Sequence, residues 1–145
     1  MTRSRRLGSI AVYIASPYTV GDAAENVRRS LEAADQLLAL GYLPFAPLLS
    51  HFWHFLSPKP YDAWMEIDQA WILRCDCVLR LPGESKGADA EVTFAQKHGK
   101  LIVRSVEELH AVYGFPTSES HTVHRSDVCP CEICVAARKE TGREL

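Results

Sequence analysis

The chain has 145 residues, 47% of them hydrophobic and 23% charged, and a formal net charge of −2. That composition buries a sizeable core and excludes a disordered chain, and the charge offers no basic field for a nucleic acid polymer. No apolar run approaches the ~20 residues that span a bilayer, the start lacks the pattern of a secretory signal, and five cysteines are an odd count, unlike a secreted disulfide framework. A cytoplasmic protein away from membranes is expected.

Residues 10–15, Ile-Ala-Val-Tyr-Ile-Ala, read as a strand buried on both faces. Turn residues from Ser16-Pro17 to Gly21-Asp22 break it. Over residues 23–40, Val27, Leu31, Ala34 and Leu38 keep helical spacing, and Gly41 supplies the stop. Residues 42–47 read as a second strand, shortened by its prolines. Strand, helix and strand over this length make the βαβ unit of a parallel sheet. Residues 48–60 read as irregular and dense in aromatics, with His51-Phe52-Trp53-His54-Phe55 at their centre. A helix is expected over 61–73, a strand over 77–81, a helix over 90–98 ended by Gly99, a strand over 101–103 and a helix over 106–113. Strands alternating with helices through short joins predict an α/β fold: a doubly wound, flavodoxin- or Rossmann-like parallel sheet of four to five strands. Past residue 113 the composition turns to Ser, Thr, His and Cys. The domain is therefore expected over residues 8–114, with a short Cys/His-containing tail over 115–145.

The join between the third strand and the next helix runs Leu81-Pro82-Gly83-Glu84-Ser85-Lys86-Gly87-Ala88-Asp89-Ala90-Glu91. In an open α/β sheet ligands lie beyond the carboxyl ends of the strands. The unpaired amides of a helix's first turn attract anions and stabilise carboxylates. Ser85 and Gly87 are expected to line this loop and Glu91 to fall in or near the first turn. The same sheet edge should bring Tyr13 and Ser16 from the first strand, and Asp68 from the preceding helix. Each residue alone has an ordinary reading as a cap, a dipole partner or core. Together, Asp68 and Glu91 are the two carboxylates that displacement at a sugar's anomeric carbon requires, one to attack or stabilise and one to handle protons.

Three acids, Glu84, Asp89 and Glu91, crowd this stretch, and either of the first two pointing inward would oppose a phosphate. Repulsion among carboxylates would also raise one pKa, which could make Glu91 an acid rather than a nucleophile. Trp53 and Phe52 offer flat faces to a nucleobase, or else belong to core or interface. Trp64 and Trp71 read as packing residues. In the tail, His121, His124, Cys129, Cys131 and Cys134 lie within 14 residues and either complete a zinc site or form a tail with exposed thiols. The catalytic set itself contains no metal and calls for no cofactor.

Tyr13-Ile14-Ala15-Ser16-Pro17, then Asn26, then Asp68 ahead of Cys75-Asp76, then Ser85-x-Gly87-x-Asp89-x-Glu91 resembles the nucleoside 2-deoxyribosyltransferase superfamily, which includes the 2′-deoxynucleoside 5′-monophosphate N-glycosidases. The likeness spans about residues 10–103. It implies Glu91 as nucleophile, Asp68 in protonation of the leaving base and Tyr13 close to both nucleophile and sugar, with Ser16, Ser85, Gly87, Asp89 and Trp53 toward the substrate. Six residues before the nucleophile, transferases of this group typically carry an acid and monophosphate hydrolases a phosphate-binding serine; here it is Ser85. The resemblance therefore implies hydrolysis of the N-glycosidic bond of a nucleoside 5′-monophosphate. Base exchange on nucleosides and a non-catalytic nucleotide-binding module are the alternatives. It also implies a homodimer.

Overall fold

The computed structural model describes residues 10–113; the tail and its zinc question lie outside the described residues. The elements run β1 (Ala11–Ala15), α1 (Ala23–Ala39), β2 (Leu43–Phe45), a 3-10 turn (Pro47–Leu49), α2 (Ser50–Leu56), α3 (Tyr61–Arg74), β3 (Cys77–Arg80), α4 (Lys86–Lys97), β4 (Leu101–Val103) and α5 (Val106–Tyr113). The strands form one parallel sheet in the order β2-β1-β3-β4, with Tyr13 opposite Val78 and Ala15 opposite Arg80. The α/β doubly wound expectation holds, with four strands among the described residues.

Successive strand side chains point to opposite faces, so each strand supplies two cores. Val12, Ile14, Cys77, Leu79 and Val103 pack with Leu37 of α1 and Leu109 of α5. On the other face Tyr13, Ala15 and Val78 pack with Ile72 of α3 and with Ala88, Val92 and Ala95 of α4. Fully burying a side chain such as Leu37 contributes roughly 1.5–3 kcal/mol, and this two-sided burial is why the strands read as continuous apolar runs.

Helix α1 starts on Asp22, whose carboxylate accepts from the Glu25 amide at 3.0 Å. It ends at Gly41, whose φ of +88° lets the Gly41 and Tyr42 amides turn back onto the Leu38 and Leu37 carbonyls, both at 3.0 Å.

Two boundaries differ from the sequence reading. Residues 50–56, expected to be irregular, form α2, which buries none of its residues. Its apolar side chains, Phe52, Trp53, Phe55 and Leu56, are all exposed, so no one-sided period marked it as a helix. The second difference is at α4, which begins at Lys86 rather than at residue 90. Ser85 is its N-cap, accepting from the Ala88 amide at 3.1 Å, and this cap starts the helix a turn earlier than its apolar pattern marks.

Candidate active site

The sheet order reverses direction between β1 and β3, which opens a crevice at their carboxyl ends. The two loops that leave it touch. A Cβ on Gly83, which has a φ of +117°, would lie 2.8 Å from Cγ of Pro17, so only glycine serves at this crossing. Asn26 of α1 shapes the first loop by donating from Nδ2 to the Tyr18 and Val20 carbonyls, each at 2.9 Å.

Above the crossing lies a cleft of about 620 Å³, walled by Ser16 and Tyr18 of the β1–α1 loop, His51 and His54 of α2, Trp64 and Asp68 of α3, and Ser85, Lys86, Gly87 and Glu91 of the β3–α4 region. Tyr13 lies beneath it, fully buried, and its hydroxyl donates to Oε1 of Glu91 at 3.0 Å. The second acid, Asp68, is half-buried. Residues 78 positions apart in the chain thus meet because β1 is flanked by β3, and α4 packs over both.

The electrostatics follow from burial. Glu91 is 8% exposed. Burial, and then the neighbouring Asp68 charge, push its carboxyl up to about 8, against the opposing pull of the Tyr13 hydroxyl and the Arg80 guanidinium. Burial raises Asp68 to about 6, with the Tyr13 hydroxyl again opposing. Tyr13 itself is pushed well above its ordinary 10 by burial and by both acids, so it stays a donor at every physiological pH. Near neutrality the two carboxyls hold about one proton between them.

Most of the residues singled out from the sequence meet here: Tyr13, Ser16, Asp68, Ser85, Gly87 and Glu91. Three placements differ from expectation. Glu91 lies in the second turn of α4, beyond the free amides, whereas Asp89 occupies the first. Asp89 is outside the cleft lining; its Oδ1 receives Nη2 of Arg80 at 2.9 Å and Nε at 3.2 Å. At about 100° per residue, positions 89 and 91 point to nearly opposite sides of a helix, so Asp89 leaves the cleft. Glu84 stays in its lining with Glu91, the placement expected to oppose a phosphate. Trp53 is also outside the lining. Its ring meets Trp64 edge-on, with centroids 5.2 Å apart, and carries the Lys59 ammonium at 4.8 Å.

Sequence reasoning missed Trp64, which lines the cleft rather than only packing. The signal was available: Tyr61, Trp64, Met65 and Asp68 recur at helical spacing and share the cleft-facing side of α3. Trp71 does pack, stacking on Phe45 at 4.4 Å. Phe45 in turn lies 5.7 Å from the Tyr13 ring. His54 is held by its Nδ1, which accepts from the Trp64 indole at 2.7 Å, and His51 bonds the Tyr18 hydroxyl.

Two features suit an anionic group. The amides at the start of α4 open beside Ser85, Lys86 and Gly87, all in the lining. Ser16 borders the same cleft at 8% exposure, and its hydroxyl has no hydrogen-bond partner. A buried hydroxyl left unpaired costs free energy, and a ligand in the cleft would relieve it. Among the described residues no group of three or more His, Cys, Asp or Glu is placed to hold a metal ion, and no helix is long and apolar enough to cross a membrane.

The profile of DUF4406, described as a domain of unknown function, matches residues 10–104. The chain belongs to that family. The DUF4406 match covers all four strands and ends before α5, so it contains every cleft residue named above. No curated protein matches the chain.

Proposed function

We propose that this DUF4406 domain hydrolyses the N-glycosidic bond of a nucleoside 5′-monophosphate. The observation that carries the reading is the meeting of Glu91, Tyr13 and Asp68 at a cleft that the amino end of α4 also lines. The resemblance to the nucleoside 2-deoxyribosyltransferase superfamily supports the same assignment of roles.

In this reading the phosphate sits against the α4 amides and the Ser85 hydroxyl, with Lys86 offsetting its charge. Ser85 already accepts from the Ala88 amide, which leaves its own proton to donate. The Glu91 carboxylate attacks C1′ while the C1′–N bond breaks, and the departing base takes the bonding electrons and the proton carried by Asp68. Water, giving its proton back to Asp68, then attacks C1′ and frees Glu91. The products are the base and a 5-phosphorylated sugar.

This step needs the shared proton on Asp68 and the charge on Glu91. In the free protein burial favours the opposite placement, and positive charge developing at C1′ favours the reactive one. Tyr13, donating to Glu91, stabilises the ionised nucleophile before attack.

The test is a panel of nucleoside 5′-monophosphates and the matching unphosphorylated nucleosides, with free base followed by chromatography. Base release from the monophosphates, lost in Glu91→Gln, supports the proposal. Base exchange that persists without the phosphate would replace it with a transferase. Tight nucleotide binding with no turnover in any mixture would replace it with a binding module. Homodimer assembly belongs to the same reading and is checked by light scattering.

A further inference from the structure

We propose that His54 and Lys59, bracketing the Trp64 ring, select the base of the substrate: one that turns a carbonyl oxygen rather than an amino group toward α2 and α3, as a 6-oxopurine or a 4-oxopyrimidine does. The place of the base rests on the proposed function; the hydrogen-bonding character of this wall does not.

The proton of the His54 ring is placed by its neighbours. Nδ1 accepts from the Trp64 indole at 2.7 Å and from the Lys59 amide at 3.3 Å. An indole N–H and a backbone amide can only donate, so Nδ1 carries the lone pair and Nε2 the proton. Among the described residues nothing accepts from Nε2. The Lys59 ammonium is a second donor with capacity left. It donates to the Ser57 carbonyl at 3.3 Å and to the Ser57 hydroxyl at 3.1 Å, and an ammonium has three protons. It stands 5.8 Å from the Trp64 ring centroid, and the His54 ring stands 5.6 Å from it. His54, Lys59 and Trp64 all line the cleft. The wall is thus an aromatic ring edged by two donors, and neither of those side chains has an acceptor to spare.

Asp68 follows Trp64 by four residues, one turn of α3 or about 6 Å along its axis, and on the same face. A base that takes its proton from Asp68 therefore extends along α3 to the Trp64 ring, which holds it by stacking. Its far edge then meets the two donors. A carbonyl oxygen accepts from them, whereas an exocyclic amino group sets hydrogens against hydrogens and leaves both sides unpaired. Core packing does not account for the network: α2 buries none of its residues, His54 is exposed and Trp64 is only partly buried.

The test is calorimetry on the full chain carrying Glu91→Gln, so that binding is read without turnover. The ligands are the 5′-monophosphates of inosine against adenosine and of uridine against cytidine, in ribose and 2′-deoxyribose forms. The oxo member of a pair is expected to bind about tenfold more tightly, an open cleft giving less than the ~10⁴-fold of a sealed hydrogen-bonding pocket. His54→Phe and Lys59→Met should each shrink that ratio about threefold or more. His54→Gln, which can accept from the indole and donate from its amide, should restore it. His54→Phe should leave the binding of inorganic phosphate unchanged. A histidine that only holds α2 in place would change both members of a pair alike. A ratio near one or reversed, a ratio that His54→Phe leaves unmoved, or a loss of inorganic phosphate binding in that variant overturns the proposal. Oxo preference with no base release by the wild type sinks hydrolysis and leaves the selection standing; base release without preference does the reverse. Binding of none of these nucleotides overturns both.

Discussion

Glu91→Gln should make the protein more stable, and more so as pH rises. The carboxyl ordinarily ionises near 4.5, and in the folded state it is held up to about 8. Between those values the folded chain keeps a proton that the unfolded chain has released, so stability falls with rising pH at ~1.4 kcal/mol per unit. At pH 7 that penalty is roughly 3 kcal/mol, and above pH 8 it reaches its full extent of roughly 5 kcal/mol. Against the 5–15 kcal/mol typical of a whole domain, this is a large sacrifice for one side chain. Glutamine has the same shape and can still accept the Tyr13 hydroxyl, so the comparison isolates the charge. Urea denaturation of both proteins at pH 5, 6, 7, 8 and 9 measures it. The stability difference should be small at pH 5, grow through pH 6 and 7, and level off past 8. A difference that is constant across this range, or a glutamine variant less stable than the wild type, would refute the idea of a buried acid held against its own ionisation.

Other predictions concern the same cleft. For the proposed hydrolysis, kcat/KM should be bell-shaped with limbs near 6 and 8, since the reactive pair holds a single proton; a profile with one limb would remove Asp68 from proton handling. Asp68→Asn should lower kcat by roughly 10²–10⁴ while nucleotide binding, followed by calorimetry, survives. Ser16→Ala removes a buried hydroxyl without a partner, so denaturation should show a gain of about 1 kcal/mol, and calorimetry should show weaker binding of a nucleoside 5′-monophosphate. Gly83→Ala must force the Pro17 ring aside and adopt a positive φ, which should destabilise the fold by about 1–3 kcal/mol in thermal melts.

The order of strands and helices, their approximate ends and the gathering of Tyr13, Asp68 and Glu91 at one edge of the sheet were legible in the chain alone. Those are local properties. Apolar runs mark strands buried on both faces, a period near four residues marks a helix packed on one side, and Gly41 marks a turn that needs a positive φ. Helix α2 escaped that reading because its apolar side chains, Phe52, Trp53, Phe55 and Leu56, fall on no single face and none of its residues is buried.

Only the tertiary structure decided which acids converge. Glu84, Asp89 and Glu91 are neighbours along the chain, yet the Ser85 cap starts α4 early enough to rotate Asp89 toward Arg80 and Glu91 under Tyr13. A raised Glu91 was foreseeable from repulsion among carboxylates, but its larger cause, burial, and the identity of the opposing acid as Asp68 were out of reach, because both are set by α3 and α4 packing against one face of the sheet. A chain can specify the kinds of side chain a site will hold; their charge states come from the surroundings that folding creates.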